Sequence, residues 1–347
     1  MDQKSFLSVR NLNVKFHLRG KILHAIRGIS LEIFKGESLA IVGESGSGKT
    51  VLAKSFMGLL DANGYIDSGE IMYDDMNLAS LKHEKEWNKI RGKHIAMIMQ
   101  DPMASLNPLM KIGSQIAEAI HKHQGLRKEA LYQATIDILC DVGIPEPRRR
   151  YQQYPHEFSG GMRQRVIIAI ALACRPKILI CDEPTTALDV TIQAQILLLL
   201  KDLKKKFDLT IIYITHDFGV VANVADRIAV MYAGDIVEIG NCEEVFYDPK
   251  HPYTWALLSS LPQLGVKGES LYSILGTPPN LLKEIKGDAF AARNPNALKI
   301  DFIKRPPYFE VTKTHKARTW LLDQRAPKVA PPEHIRKLRN LGGIFYE

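Results

Sequence analysis

Paired cysteines are missing from this chain of 347 residues, which contains only four cysteines. They stand at Cys140, Cys174, Cys181 and Cys242, and no two of them form a CxxC pair. Neither a disulfide framework nor a zinc site is therefore indicated. Reduced thiols, as found in the cytosol, are the simpler interpretation.

Long apolar runs are missing as well. Runs such as residues 166–174 and 196–200 fall well short of the roughly 20 residues that a membrane-spanning helix needs. The first ten residues contain no apolar stretch of secretory length, so we expect no signal peptide. The chain is expected to stay in the cytosol unless a partner holds it at a membrane.

The chain has no excess of acidic charge: its net charge is +8, and residues 256–347 carry 15 Lys and Arg against 8 Asp and Glu. A basic region of this kind fits nucleic acid, anionic lipid or a solvated surface. We favour the solvated surface, because the positive residues are scattered among prolines and carboxylates. With 46% hydrophobic and 24% charged residues, the composition excludes a mostly disordered, collagen-like or mucin-like chain.

A short, mostly apolar run at 37–42 predicts a strand. Two near-continuous apolar runs at 177–181 and 210–215 predict strands that are buried on both faces of a parallel sheet. Helical spacing between about 112 and 173 predicts helices there. Two further short runs, around the turn at Ala233–Asp235, predict a hairpin. The order of these segments is typical of an α/β fold.

Repeated prolines break the chain into short segments from about residue 256 onward. We therefore predict one domain over 1–255, with a helical subdomain at about 101–175. A small loop-rich extension is predicted over 256–347.

A glycine-rich loop follows the first predicted strand and precedes a helix, and it fits the pattern GxxxxGK[ST]. Its members are Gly43, Glu44, Ser45, Gly46, Ser47, Gly48, Lys49 and Thr50. The backbone amides of such a loop bind phosphates, Lys49 reaches the β- and γ-phosphates, and the Thr50 hydroxyl binds Mg²⁺. A turn that merely caps a helix is disfavoured by this context, but GTPase, kinase and ATPase all stay open.

Two carboxylates end the predicted strand at 177–181, in the sequence KILICDE. Asp182 is suited to the Mg²⁺ shell and Glu183 to polarising the attacking water. A carboxylate pair that only caps the next helix is the alternative. The preceding phosphate loop favours the catalytic interpretation.

Ser159, Gly160 and Gly161 stand directly before an apolar helix and offer backbone donors to an anion. The chain already has one phosphate-binding loop, so a second anion site needs a second nucleotide. Two such domains arranged head to tail would use both.

These three elements together resemble the nucleotide-binding subunit of ABC transporters. In that family Ser-Gly-Gly belongs to a signature, normally LSGGQ, that contacts ATP bound at the partner's phosphate loop. Phe158 and Met162 depart from that pattern but leave the donors intact. The resemblance implies a P-loop (RecA-like) ABC ATPase core with an inserted helical subdomain, and ATP and Mg²⁺ as cofactors.

The resemblance also implies roles for residues that single motifs leave ambiguous. Gln100 matches the Q-loop, which senses Mg²⁺ and water, and His216 matches the switch histidine at the γ-phosphate. Asp189 matches the D-loop, and Phe16 is the candidate for stacking on adenine. Taken singly, Gln100 could be a surface amide, His216 a strand-end histidine and Phe16 a core aromatic.

Longer matches, such as QDPMASLNP, DPKHPYTWALLSSLP, GTPPNL and RPPYFEV, resemble the D-type ATPase of oligopeptide/dipeptide importers. This implies a motor subunit that pairs with an F-type ATPase and two permeases at the cytoplasmic face of the membrane. A substrate-binding protein acts indirectly. Peptides are the expected cargo, and dipeptides, nickel and glutathione are alternatives. The apolar residues expected to include a contact with a permease helix are Met103, Leu106, Leu109 and Met110.

Many D-type relatives carry four cysteines in the extension, which in some cases hold an iron–sulfur cluster. The residues at the matching positions here are Asp288, Asn294, Asp301 and Thr319. Carboxylates, an amide and a hydroxyl cannot replace thiolates as cluster ligands, so no iron–sulfur cluster is expected. The extension is expected to pack against the partner ATPase.

The sequence disfavours two other classes of protein. ABC-type ATPases that act on nucleic acid carry long coiled coils before the acidic strand or two ATPase domains. Here Lys49 and Asp182 are only 133 residues apart and one phosphate loop is present, so no nucleic-acid partner is expected. A regulatory subunit that only binds nucleotide is disfavoured by the presence of Glu183 and His216.

Overall fold

The structure is a computed structural model that describes residues 5–100, 105–186, 188–261 and 274–342. The strands in chain order are β1 (Ser5–Leu18), β2 (Lys21–Phe34), β3 (Ser38–Val42), β4 (Gly64–Tyr73), β5 (Met76–Asn77), β6 (Ile95–Ile98), β7 (Ile178–Asp182), β8 (Thr210–Thr215), β9 (Arg227–Tyr232), β10 (Asp235–Asn241), β11 (Phe309–Glu310) and β12 (Lys316–Ala317). The helices are α1 (Lys49–Met57), α2 (Glu84–Ile90), α3 (Ile112–Gln124), α4 (Lys128–Asp141), α5 (Pro147–Arg150), α6 (Gly160–Ala173), α7 (Val190–Phe207), α8 (Phe218–Val221), α9 (Cys242–Tyr247), α10 (Pro252–Ser259) and α11 (Glu333–Gly342).

The chain folds into two compact units. The first comprises residues 1–33, 39–80 and 215–347, and the second comprises 34–38 and 81–214. The first unit thus combines segments from both sides of residue 255, where the sequence predicts a domain boundary. That boundary stays a prediction.

The first unit contains two groups of hydrogen-bonded strands. One has the order β2-β1-β4-β5, and the other has the order β11-β12-β10-β9-β3. Strand β3 runs parallel to β9, and β9 and β10 form the antiparallel hairpin that the sequence predicts. Every residue of β3 is buried, as expected for a strand covered on both faces.

The second unit contains three parallel strands in the order β8-β7-β6, with helices α2 to α7 around them. Strands β7 and β8 are buried along their whole length, which explains why both appear in the sequence as continuous apolar runs. The predicted helical stretch is present as α3 to α6. The sequence-based prediction of strands β7 and β8 is therefore confirmed.

The loop-rich extension packs onto its own chain, which the sequence does not predict. Strand β12 pairs antiparallel with β10, and β11 pairs with β12, so the extension continues a sheet of the first unit. Tyr308 donates from its hydroxyl to the carbonyl of Ile236 at 2.9 Å. Packing of the extension against a partner ATPase stays a prediction.

A fully buried carboxylate anchors this pairing. Glu238 of β10 has no exposed surface and accepts hydrogen bonds from the backbone amides of Lys250 and His251 at 2.6 and 3.0 Å. Its Oε1 also lies 2.7 Å from Nε2 of His315, which immediately precedes β12 and is 1% exposed. An unpaired carboxylate in such a place would be costly, so His315 ties the extension to β10.

None of the helices in the described part of the chain has the length and apolar character that crossing a bilayer requires.

Candidate active site

The phosphate loop of the first unit runs from the end of β3 to the start of α1. Gly46 and Gly48 have φ values of 77° and 103°, a region that favours glycine. A Cβ added at Gly43 would lie 2.1 Å from the carbonyl oxygen of Met231. The glycines at 43, 46 and 48 are thus required by the path of the backbone. The middle of the loop, Ser45 and Gly46, is exposed.

Lys49 lies folded over this loop and is only 5% exposed. Its Nζ donates to the carbonyl oxygens of Gly43 and Glu44 at 2.7 and 2.9 Å. The ammonium is therefore held directly above the backbone of the loop, at the N-terminus of α1. Thr50, the next residue on that helix, is half-buried.

The loop has the features of an anion cradle. The Ser47 hydroxyl oxygen is buried and has no hydrogen-bond partner among the described residues. A buried polar atom without a partner is rare in a folded protein and requires a reason. Together with the glycine backbone and the N-terminus of α1, it fits the phosphate groups of a nucleotide.

The other two predicted residues of this unit differ in exposure. His216 follows β8 and is exposed, and the next residue, Asp217, caps α8 by accepting the amide of Gly219 at 2.8 Å. Phe16 is 8% exposed, and a Cβ added at Gly64 would lie 2.5 Å from its ring. Phe16 is thus packed closely on β4, and its stacking on adenine stays a prediction.

The acidic end of β7 carries the predicted catalytic group of the second unit. Asp182 is 2% exposed, and Glu183 follows with φ of 48° and an amide that donates to the carbonyl of Ile214 at 2.8 Å. A positive φ is uncommon for a residue other than glycine and is typical of functional sites. The hydrogen bond to β8 helps to hold this conformation.

Two side chains donate to the Glu183 carboxylate. Gln100 Nε2 lies 2.8 Å and Thr186 Oγ1 lies 3.0 Å from Oε2 of Glu183. The structure therefore brings together two residues that the sequence singles out, although 83 positions separate them. Thr186 was missed, and the only signal was a hydroxyl three residues after the carboxylate.

The Ser-Gly-Gly element begins α6 in the same unit. Ser159 is the N-cap, and its hydroxyl accepts the amide of Met162 at 3.4 Å. Gly160 and Gly161 occupy the first turn, whose amides have no acceptor within the helix. A Cβ at Gly161 would lie 2.7 Å from the Ile192 side chain, so a larger residue would disturb α7.

Asp189 is the N-cap of α7. Its Oδ1 accepts the amide of Ile192 at 2.9 Å and thereby caps α7. The preceding D-loop residue Leu188 lies beside Gly160, with 3.5 Å between its Cδ2 and a Cβ added there. The D-loop and the signature thus adjoin each other, whereas Ala187 lies outside the described residues.

The proposed Mg²⁺ ligands fit the ion by chemistry. Thr50, Gln100 and Asp182 offer a hydroxyl, an amide and a carboxylate oxygen, and Mg²⁺ prefers oxygen ligands. Within the described residues, no group of three His, Cys, Asp or Glu side chains could bind a metal on its own. Mg²⁺ in such sites is completed by water and by the phosphates of the substrate.

The four polar residues at the cysteine positions of related extensions are all buried, and each accepts a nearby backbone amide. Asp288 and Asn294 each accept the amide two residues further on, from Phe290 and Asn296, both at 2.9 Å. Asp301 accepts the amide of Leu298 at 2.6 Å, and Thr319 accepts that of Leu321 at 3.3 Å. The four side chains therefore stabilise turns of the extension.

The buried carboxyl of Asp288 should make folding stability depend on pH. Its Oδ2 has no hydrogen-bond partner in the described structure and lies 3.9 Å from Nε2 of buried His251. Burial raises the pKa of Asp288 above its usual value of 3.8, and the neighbouring His251 opposes this only in part. Stability from a raised carboxyl pKa is present at low pH and is lost as the pH rises through the folded-state pKa. We expect the melting temperature of Asp288→Asn, relative to the unsubstituted chain, to rise between pH 4 and pH 7.

Thermal unfolding of both proteins at several pH values measures this difference. Asp323→Asn is the matched control, because Arg325 holds the pKa of the Asp323 carboxyl below its usual value. Its melting temperature relative to the unsubstituted chain should fall as the pH rises through the range in which Asp323 ionises. Parallel curves for Asp288→Asn and the unsubstituted chain would contradict the assignment.

No motif in the sequence identifies the residues that hold Glu44. Its amide donates to the hydroxyl of Tyr253 at 2.8 Å, and its carboxylate pairs with Arg293 of the extension. Arg293 lies 249 positions away in the chain, so no local pattern connects it with the loop.

Comparisons with known proteins agree with this geometry. Residues 26–186 match the family described as ABC transporter, and residues 237–300 match the oligopeptide/dipeptide transporter C-terminal region. The chain is 57% identical over 339 residues to the oligopeptide transport ATP-binding protein AmiE of Streptococcus pneumoniae, covering 98% of this chain and 96% of the relative. It is also 57% identical over 342 residues to the oligopeptide transport ATP-binding protein OppD of Bacillus subtilis, covering 98% and 95%.

A solved structure resembles the fold over most of its length. It is a dimeric ATP-binding cassette in a post-hydrolysis state with ADP and phosphate bound, and it is 28% identical to this chain. The TM-score is 0.60, and the alignment covers 68% of this chain and 98% of the cassette.

Proposed function

We propose that this chain, which belongs to the family of oligopeptide and dipeptide transport ATP-binding proteins within the ABC transporters, hydrolyses ATP to drive oligopeptide uptake. The observation that carries the proposal is the cluster at Glu183. A carboxylate held in place by Gln100 and Thr186 directly follows a buried aspartate, and a positioned carboxylate can act as general base toward a water molecule.

Binding of ATP is assigned to the phosphate loop. The amides of residues 43–50 and the Ser47 hydroxyl bind the phosphates, and Lys49 leaves the loop carbonyls to reach the β- and γ-phosphates. Phe16 stacks on adenine. Thr50, Asp182 and Gln100 would hold Mg²⁺, which would supply positive charge to neutralise the phosphates.

Hydrolysis is assigned to Glu183. This carboxylate accepts a proton from the attacking water, a bond forms from the water oxygen to the γ-phosphorus, and the bond to the ADP oxygen breaks. Gln100 and Thr186 orient the carboxylate, and His216 donates to the γ-phosphate. Since little covalent chemistry falls to the protein, positioning and electrostatics supply most of the rate enhancement.

A second ATPase subunit completes each site in this proposal. Ser159, Gly160 and Gly161 bind the nucleotide held by the partner, and Asp189 lies in the loop that faces the partner. The dimer reported for the similar cassette supports pairing between two such domains. The identity of that partner as an F-type paralogue stays a prediction from the subfamily resemblance.

Coupling to transport needs a surface for the permeases at the membrane. Of the four apolar residues predicted after Gln100, Leu106 is 4% exposed and belongs to the core, whereas Leu109 is 85% exposed. Met103 lies outside the described residues. We assign the permease contact to the surface around Leu109. As the family resemblance implies, we propose that the subunit binds at the cytoplasmic face of the membrane, with the substrate-binding protein acting through the permeases.

Reconstitution tests the proposal as a whole. Mg²⁺-ATPase activity of the chain is expected to rise when it is combined with its partner ATPase and permeases in liposomes. Labelled oligopeptide should accumulate inside the liposomes. The rise follows from sites that are shared between subunits. Dipeptides, Ni²⁺ and glutathione, offered in parallel, identify the cargo. Strong activity without the partners that RNA or DNA stimulates would contradict the transport role.

Leu109→Asp provides the control for coupling in the same assay. A carboxylate at this exposed position adds charge to the docking surface without disturbing the core, so ATPase activity of the isolated chain should stay within about twofold. Peptide uptake should fall strongly. Undiminished uptake would place the permease contact elsewhere.

A further inference from the structure

The phosphate loop contains a carboxylate, which is unexpected in a loop that binds anions. Glu44 directly follows Gly43, and the only side-chain cation between positions 43 and 50 is Lys49. A negative charge at this place repels the phosphates of ATP unless another group neutralises it. The source of that neutralisation is the C-terminal extension.

Arg293 forms a two-pronged contact with this carboxylate. Its Nη1 donates to Oε2 of Glu44 at 2.7 Å, and its Nη2 donates to Oε1 at 3.0 Å. The Arg293 side chain is 5% exposed and that of Glu44 is 26% exposed. A bidentate, largely buried pair of this kind is among the strong charge-assisted contacts in proteins.

The guanidinium of Arg293 is itself held on every side. Its remaining N–H groups donate to the Tyr232 hydroxyl at 3.2 Å and to the carbonyls of Ile274 and Leu275 at 3.3 and 3.0 Å. Its carbon lies 5.8 Å from the Tyr232 ring centre and 5.9 Å from that of Phe290. All five N–H groups of the guanidinium thus have an acceptor, and Arg293 is a fixed anchor.

Three different groups therefore hold Glu44. Its amide donates to the Tyr253 hydroxyl, its carbonyl accepts from Lys49, and its carboxylate is bound by Arg293. The extension also lies beside the loop at a second place, where Pro278 and Pro279 line a cavity of about 30 Å³ together with residues 44–47. The loop and the extension consequently belong to one packed assembly.

We propose that Arg293 is a positioning residue for nucleotide binding, which neutralises and fixes Glu44 so that the loop presents its amides, the Ser47 hydroxyl and Lys49 to the phosphates without an opposing negative charge. This inference rests on the proposed ATP site. It gives the C-terminal extension a direct role in that site.

Binding of trinitrophenyl-ATP to the full chain, followed by fluorescence in the presence of Mg²⁺, tests the proposal. Arg293→Gln should raise the Kd about tenfold, because the Glu44 carboxylate is left unpaired beside the phosphates. Glu44→Gln combined with Arg293→Gln should restore the Kd to within about threefold of the unsubstituted chain. A purely structural role for Arg293 predicts no such rescue. Arg325→Gln, at an exposed pair within the extension, should bind as the unsubstituted chain does.

Arg293→Lys keeps the charge but loses the two-pronged contact, so about a threefold rise is expected. This variant decides the question if Arg293→Gln does not fold: a Kd within the error of the unsubstituted chain would then overturn the proposal. An Arg293→Gln protein that folds and binds within twofold, or a double variant as weak as Arg293→Gln, would overturn it as well. Failure of the unsubstituted chain to bind the probe would instead contradict the proposed ATP site.

Discussion

Replacing Glu183 by glutamine is expected to lower the Mg²⁺-ATPase rate about 10²–10⁴-fold, the range for loss of a positioned general base. An amide cannot take the proton of the attacking water. Its oxygen still accepts from Gln100 and Thr186, which both donate to the native carboxylate, so the local geometry and ATP binding should persist. The measurement is kcat for phosphate release together with the Kd for the fluorescent nucleotide.

Glu129→Gln provides the control, since Glu129 is an exposed residue of α4 in the same unit. It should leave both quantities unchanged. A Glu183→Gln protein that hydrolyses ATP within tenfold of the normal rate would show that another group activates the water. Loss of nucleotide binding in that variant would show that the carboxylate has a role in the ground state.

Lys49→Met is expected to weaken ATP binding roughly 100-fold. Hydrogen bonds to charged groups contribute about 1.5–3 kcal/mol each, and the lower end for two phosphate contacts, about 3 kcal/mol, corresponds to roughly that factor. Methionine replaces most of the aliphatic stem of the 5% exposed side chain, so loss of charge rather than of packing should dominate. The Kd from equilibrium titration measures the effect.

Lys54→Met on the same helix is its matched control. Lys54 forms a surface pair with Asp61 at 3.0 Å, away from the phosphate loop, and surface pairs contribute little to stability. Its affinity for ATP should remain normal. A Kd for Lys49→Met within threefold of the unsubstituted chain would remove Lys49 from the binding site.

The sequence was sufficient where structure depends on local pattern. Strands β3, β7 and β8 are buried along their length, so their apolar character identifies them without knowledge of their neighbours. The glycines of the phosphate loop were equally evident, because backbone conformations such as that of Gly48 leave few alternatives. The fold class followed from these segments and from the family resemblance.

The contacts of the extension were beyond prediction for a physical reason. Segments interrupted by proline have no periodicity that reveals which face is buried, and pairs such as Glu44 with Arg293 are far apart in the chain. The division between Leu106 in the core and Leu109 at the surface was hidden in the same way, since both lie in an irregular segment. Tertiary packing determines which of these residues are buried and which of them pair, and the residue types alone do not reveal it.

The pairing of Glu238 with His315 forms late during synthesis, because the carboxylate is made before the histidine. The two residues are 77 positions apart, which a ribosome working at about 5–20 residues per second covers in roughly 4–15 s. During that interval β10 has been synthesised but lacks β12 along its edge, and unpaired strand edges readily pair with other chains. The edge of β10 is thus open to pairing with other chains until residues 316–317 have been made.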